Sequence, residues 1–183
     1  MPNYRLVPEH RYPAQIKDIA RAFKWTENNI DIYGGNKDNI ILSGHSAGGH
    51  LAALMGYSDY WQNEFDISKE KIKSLVLLAG VYKFPDDYEK GADVVKDFVP
   101  KEFWEEAQPV SHLDPSDPPT FIIQGLEDTT VSPEQADYLA KSLEKRGIRY
   151  KSILKEDLNH ISLLFSFADN SHHIWDEIDF DKK

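Results

Sequence analysis

The sequence predicts an α/β fold in which a parallel sheet carries helices on both faces, with residues 1–183 forming a single domain. Three observations predict it. Short apolar runs rich in β-branched residues alternate with stretches of helical periodicity, which is the rhythm of βαβ crossovers. Three of those runs end near a glycine, at Gly44, Gly80 and Gly125. The first of these glycines opens Gly44-His45-Ser46-Ala47-Gly48, which lies between a strand-like and a helix-like segment.

Along the chain, Tyr4-Arg5-Leu6-Val7 is a candidate fifth strand. Pro13 suits a first helical turn, and Ile16, Ile19, Ala20 and Phe23 then recur on one face of a helix running to about Asn28. Asn39–Leu42, Ile72–Leu78 and Thr120–Ile123 read as buried parallel strands. Ala47–Tyr57 reads as helix. Ser132-Pro133-Glu134-Gln135 combines a capping serine, proline at the first helical position and a capping-box glutamine, and Gly147 closes the helix that follows. Ile148–Leu154 alternates more and suits a strand nearer the edge. Residues 82–118 break the rhythm. They are rich in Pro, Asp, Lys and aromatics (Tyr82, Phe84, Tyr88, Phe98, Phe103, Trp104) and read as an inserted lid or cap.

Charge and composition remove several function classes. Lys+Arg 21 against Asp+Glu 31 gives a formal charge of −10, which argues against nucleic acid or an anionic membrane as partner. With 40% hydrophobic and 12% aromatic residues there is apolar surface enough for a core. Cys is 0, so a disulfide framework, a thiolate zinc site and a cysteine nucleophile are excluded. No apolar run approaches the length of a membrane span, and the first residues lack the apolar segment of a secretory signal. Together these features predict a cytoplasmic protein.

Gly44-His45-Ser46-Ala47-Gly48 is G-x-S-x-G in the strand–turn–helix setting its chemistry needs. Small residues let the chain turn sharply, so that Ser46 projects at the carboxyl edge of the sheet and at the positive end of a helix. The Ala47 amide is then placed to donate to an oxyanion. With Tyr4-Arg5-Leu6-Val7-Pro8-Glu9, Tyr12-Pro13, Asp18, Trp25 and the continuation Gly48-Gly49-His50-Leu51-Ala52-Ala53, the sequence resembles the α/β-hydrolase fold. More narrowly it resembles the carboxylesterases that include hormone-sensitive-lipase-like and kynurenine-formamidase-like enzymes.

A serine hydroxyl needs a base, and the base needs an orienting carboxylate. The resemblance implies the chain order Ser, acid, His. Asp128 follows the strand Thr120–Ile123, and His160 follows the last strand, so both fall at the same sheet edge as Ser46. Their motifs also match the family's. Glu127 and Asp157 are weaker candidates for the acid. His45, His50, His112, His172 and His173 read as solvent-facing or packing histidines. No carboxylate at helical spacing completes a metal site, and no cofactor is expected. Arg5, Glu9 and Asp18 read as a structural, at least half-buried Arg–carboxylate network. The insertion's aromatics are read in two ways, as lining an acyl or aryl pocket or as packing the insertion down.

The family's oxyanion hole has a second source, a His-Gly-Gly-Gly loop after an earlier strand, and no such segment precedes Tyr4. The resemblance therefore implies an α/β-hydrolase fold shortened at the amino terminus, with half of the oxyanion hole supplied. It also implies that Asn39–Leu42 either pairs with Tyr4–Val7 or is bare and self-associates with a second copy. The function expected is a serine hydrolase cleaving small carboxylic esters through an acyl-enzyme. The alternatives are an N-formyl aryl amide hydrolase, suggested by the Gly-His-Ser-Ala-Gly-Gly-His form of the turn, and a weakly catalytic binding module.

Overall fold

The computed structural model describes residues 1–179. Helix α1 (Ala14–Asn29) leads into strand β1 (Ile40–His45), then α2 (Ala47–Tyr57) and α3 (Asp59–Glu64). Strand β2 (Ile72–Leu78) is followed by a long excursion containing the short helix α4 (Asp93–Phe98). The chain returns through β3 (Thr120–Gly125), α5 (Glu134–Arg146), β4 (Tyr150–Lys155), α6 (His160–Asp169) and α7 (Ile174–Glu177). The four strands are parallel, in the order β1-β2-β3-β4.

Side chains alternate across a strand, so a strand apolar at every position must be covered twice. Leu75 and Leu77 of β2 enter the core formed with α1, α2 and α5, while Val76 and Leu78 enter a second core with Leu163 and Ile174 of α6 and α7. Helices therefore cover both faces, as the alternation predicts. α1 ends within a residue of its predicted boundary, and Gly147 closes α5 in the left-handed conformation at φ 71°. β4 lies at a sheet edge, also as expected.

Four local readings are corrected. Tyr4–Val7 forms no strand. The Arg5 backbone N–H donates to Asp18 Oδ2 at 3.0 Å, and the Leu6 carbonyl accepts from His10 N, so the groups a ladder would use are spent on α1 and on a local turn. Of the readings of residues 39–42, the buried strand and the pairing with Tyr4–Val7 are not found, while the bare edge is: β1 is the other edge strand among the described residues, with Ile41 57% exposed. Ser132 and Gln135 do not form a capping box. The Gln135 amide instead accepts from Tyr82 N and Lys83 N and donates to the Lys83 carbonyl, tying α5 to the start of the excursion after β2. In the Arg–carboxylate network, Arg5 grips Asp18 with two 2.8 Å contacts and Arg21 adds a third, but both arginines are exposed rather than half-buried, and Glu9 lies outside the network and is exposed too.

The excursion between β2 and β3 shares the main core: Phe84, Val99, Trp104, Ala107 and Leu113 are buried in the same cluster as Leu75 and Leu77. Its aromatics divide between the two readings. Phe84, Phe98 and Trp104 line a cavity, whereas Tyr82 is fully buried with its hydroxyl accepting from Gly80 N, and Phe103 packs on Tyr12.

Candidate active site

Ser46 joins β1 to α2 with φ 56° and ψ −121°, a conformation that L-residues rarely adopt and that costs of order 1–3 kcal/mol. Its amide donates to the Leu78 carbonyl at 2.9 Å, which stitches the turn to the end of β2. The turn is this tight only because Gly44 has no side chain: a Cβ there would lie 2.2 Å from the Gly48 carbonyl oxygen.

Asp128 stands in the loop after β3. Its Oδ1 accepts from the amides of Thr130 and Val131, each at 2.8 Å, an Asx turn that fixes the carboxylate. Its Oδ2 accepts from Gln124 Nε2 at 3.2 Å and from His160 Nδ1 at 2.7 Å. Burial pushes this carboxyl up, but the Val131 amide, His160 and the Thr130 amide outweigh it and hold the group below the usual carboxylate range.

His160 is the first residue of α6. The Asn159 side chain accepts from Ile161 N and Ser162 N, both at 3.0 Å, and the Ser162 hydroxyl accepts from Asn159 N at 2.8 Å. That capping box sets where the helix begins and hence where the imidazole stands. Gly125 admits the approach: a Cβ there would meet the Leu158 carbonyl oxygen at 2.1 Å, two residues before His160.

Because a carboxylate only accepts, the Asp128 contact places a proton on His160 Nδ1, and in the neutral ring that tautomer leaves Nε2 as the lone pair. Neither His160 Nε2 nor Ser46 Oγ makes a hydrogen bond among the described residues. The link between their segments runs through His45, which precedes Ser46 in sequence and whose ring lies 4.4 Å from the His160 ring. Of the rival candidates, Glu127 is exposed, and Asp157 pairs with His172 at 3.4 Å rather than with His160. His112 bonds the Glu106 carbonyl.

A cavity of about 600 Å³ opens beside Ser46 and Ala47. Leu51, Phe84, Phe98 and Trp104 give it an apolar wall, and Tyr4, Leu6 and Val7, which sequence reasoning placed in a strand, form another part of it. His50 belongs to the same wall. Its Nδ1 donates to the Val81 carbonyl at 2.7 Å, its ring stacks on Phe84 and meets Phe98 edge-on, and its Nε2 is buried with no partner. Burial pushes its pKa down to about 4. A second cavity, of about 440 Å³ near Lys69 and Asp117, lies by the opposite ends of the strands, next to Ile72 and Pro119. Among the described residues no group of three or more His, Asp or Glu could hold a metal, and no helix is long and apolar enough to cross a membrane.

The BD-FAE family model matches residues 1–143. The chain belongs to that family. BD-FAE membership agrees with a likeness in fold to the truncated form of a carbohydrate esterase from gut microbiota, with a TM-score of 0.79 at 21% identity over 95% of this chain and 72% of that one. The fold is thus that of α/β-hydrolase esterases. Among curated proteins, esterase LipC of Mycobacterium tuberculosis is 30% identical over 149 residues, 73% of this chain and 37% of LipC. The kynurenine formamidase of Meyerozyma guilliermondii is 28% identical over 167 residues, 83% of this chain. The chain spans 61% of that enzyme's length, and so less than two thirds of either relative.

Sequence reasoning missed the wall made by residues 4–7, the Gln124 and Gln135 contacts and the Asn159 cap. Only the last had a signal that could have been read, the Asn-x-x-Ser spacing ahead of an apolar run.

Proposed function

We propose that this chain is a serine hydrolase of small carboxylic esters, with Ser46 as nucleophile, His160 as general base and Asp128 as the carboxylate that orients it. The observation that carries the reading is the 2.7 Å contact between Asp128 Oδ2 and His160 Nδ1, taken with a serine held at positive φ in the turn between β1 and α2. The ester carbonyl sits against the apolar wall of the cavity. Ser46 Oγ attacks the carbonyl carbon as its proton passes to His160 Nε2, and the imidazolium is stabilised by Asp128, which stays ionised. The Ala47 amide donates to the developing oxyanion. Collapse of the tetrahedral intermediate expels the alcohol, protonated by His160, and leaves Ser46 acylated. Water activated by the same imidazole then releases the acid.

The experiment is covalent labelling with a fluorophosphonate probe, followed by turnover of short p-nitrophenyl esters. Wild-type protein should label once, with Ser46→Ala abolishing labelling while retaining its circular dichroism spectrum. Equal labelling of Ser46→Ala would overturn the assignment. The match to a kynurenine formamidase favours a second reading, hydrolysis of an N-formyl aryl amide by the same residues. Faster turnover of N-formylkynurenine than of short esters would select it. The segment after β2 serves in either case as a lid over the bound acyl or aryl group, since its Phe84, Phe98 and Trp104 line the cavity.

A further inference from the structure

We infer that His45 is a positioning residue for His160, locking the base against the end of β1 through its own backbone and its ring face. This rests on the reading of His160 as the base and adds to it. His45 is the last residue of β1, immediately before Ser46, and its Nε2 lies 2.9 Å from the backbone carbonyl oxygen of His160. A carbonyl only accepts, so His45 carries its proton on Nε2 and is neutral when Nδ1 is bare. The two imidazoles also touch, with centroids 4.4 Å apart and planes inclined at 45°.

The geometry shows what Asp128 alone leaves open. One hydrogen bond at Nδ1 fixes the tautomer of His160 but lets the ring swing about that bond, moving Nε2 off the line to Ser46 Oγ. The His45 ring blocks one direction of that swing, and its Nε2–H fixes the backbone from which the His160 side chain springs. The nucleophile and its base are thereby joined through adjacent residues of one strand end. A misplacement of about 1 Å in such a site can cost about 100-fold in rate.

The charge state fits this role. The ionisable groups facing His45 are His160 on α6 and Asp128 in the loop after β3. Burial, then the proximity of His160, hold the His45 imidazole below the ordinary histidine range, while the His160 carbonyl and Asp128 oppose that less strongly. When His160 becomes an imidazolium during turnover, it therefore faces a neutral ring rather than a second cation.

The test compares His45→Gln, His45→Leu and His45→Phe with wild type and with His160→Ala, using p-nitrophenyl acetate. Glutamine places an amide N–H close to where Nε2 stands, leucine removes both donor and ring, and phenylalanine keeps the ring without the donor. We expect leucine to lower kcat about 10- to 100-fold with KM within about twofold, and phenylalanine to fall between leucine and wild type. Glutamine should recover most of the rate. The acid limb of the kcat/KM profile should move in His45→Leu, which a residue supporting the fold alone would not produce. Thermal midpoints of all variants identify any that fail to fold, and the glutamine–phenylalanine comparison then decides. Wild-type kcat and an unmoved limb in His45→Leu, or equal losses in the glutamine and leucine variants, would overturn the inference while His160→Ala is inactive. A fully active His160→Ala would instead remove the base reading, and this inference with it.

Discussion

Lowering the pH should destabilise this protein through His50 by an amount the structure lets one calculate. The ring is 3% exposed, its Nδ1–H is satisfied by the Val81 carbonyl, and its Nε2 faces apolar surroundings with no acceptor. Protonation would bury a cation whose new N–H has nowhere to donate. Its pKa accordingly lies at about 4 in the folded state, against about 6.5 in an unfolded chain. Because the folded value is the depressed one, the stability linked to this group is complete above pH 6.5, declines as pH falls, and is gone below pH 4. The full difference of about 2.5 pKa units corresponds to about 3.4 kcal/mol, and at pH 4.5 about 2.5 kcal/mol of it is already lost. That is a large part of the 5–15 kcal/mol typical of a domain.

The measurement is urea unfolding of wild type and His50→Asn between pH 7.5 and 4.5. Asparagine keeps a donor for Val81 and does not titrate. It forfeits the contacts with Phe84 and Phe98, so the variant should be the less stable protein at pH 7.5. Carboxylates such as Asp18 and Asp128, whose folded values are also depressed, weaken both proteins alike as pH falls and cancel in the difference. The stability gap should shrink by about 2.5 kcal/mol by pH 4.5. A gap constant to within about 0.5 kcal/mol would refute the argument, because it would mean that His50 binds its proton equally well folded and unfolded.

Asp128→Asn should lower kcat for short esters by about 10³–10⁴-fold, and adding Ser46→Ala should cost little more; losses that add would place Asp128 outside the reacting unit. Gly125→Ala should destabilise by about 1–3 kcal/mol and depress kcat as well, because the new Cβ pushes on the Leu158 carbonyl just ahead of His160; unchanged unfolding and turnover would contradict the close approach. If the edge strand β1 pairs with a second copy, wild type should associate with rising concentration in sedimentation velocity and Ile41→Lys should reduce this while leaving stability within about 0.5 kcal/mol; a wild type monomeric at every concentration, or association unaffected by the substitution, would refute pairing at that edge.

What could be read from the sequence was whatever is local or periodic. The run at 72–78 is apolar at nearly every position, so it had to be covered twice, and the period of 3.6 over Ile16, Ile19, Ala20 and Phe23 required a helix with one buried face. The meeting of Asp128 with His160 was accessible because each follows a strand, and parallel strands deliver their carboxyl ends to one edge. What failed was local propensity meeting a tertiary competitor. Tyr4–Val7 has strand-like composition, but a carboxylate thirteen residues on takes the Arg5 amide before any strand can. Gln135 stands at capping-box spacing, yet its amide is worth more against three backbone groups of the segment after β2, which have few other partners there.

The same contrast explains how the site is held. Asp128 stands in a loop and His160 at the first residue of α6, just after one, where a side chain ordinarily samples several rotamers. Here each loop carries its own fixing device within three residues: the amides of Thr130 and Val131 for Asp128, and the Asn159–Ser162 cap for His160. Those devices set the direction of each side chain before the two meet. What local sequence cannot set is the distance between the loops, and that falls to groups contributed by the strands themselves: Gln124 on Asp128, Gly125 beneath Leu158, and His45 on the His160 carbonyl. All three lie at strand carboxyl ends, so the sheet register that aligns β1 with β2 and β3 with β4 also sets the spacing of the groups proposed to react. A substitution that slips that register by one residue would reverse every side chain on the strand and separate the groups altogether.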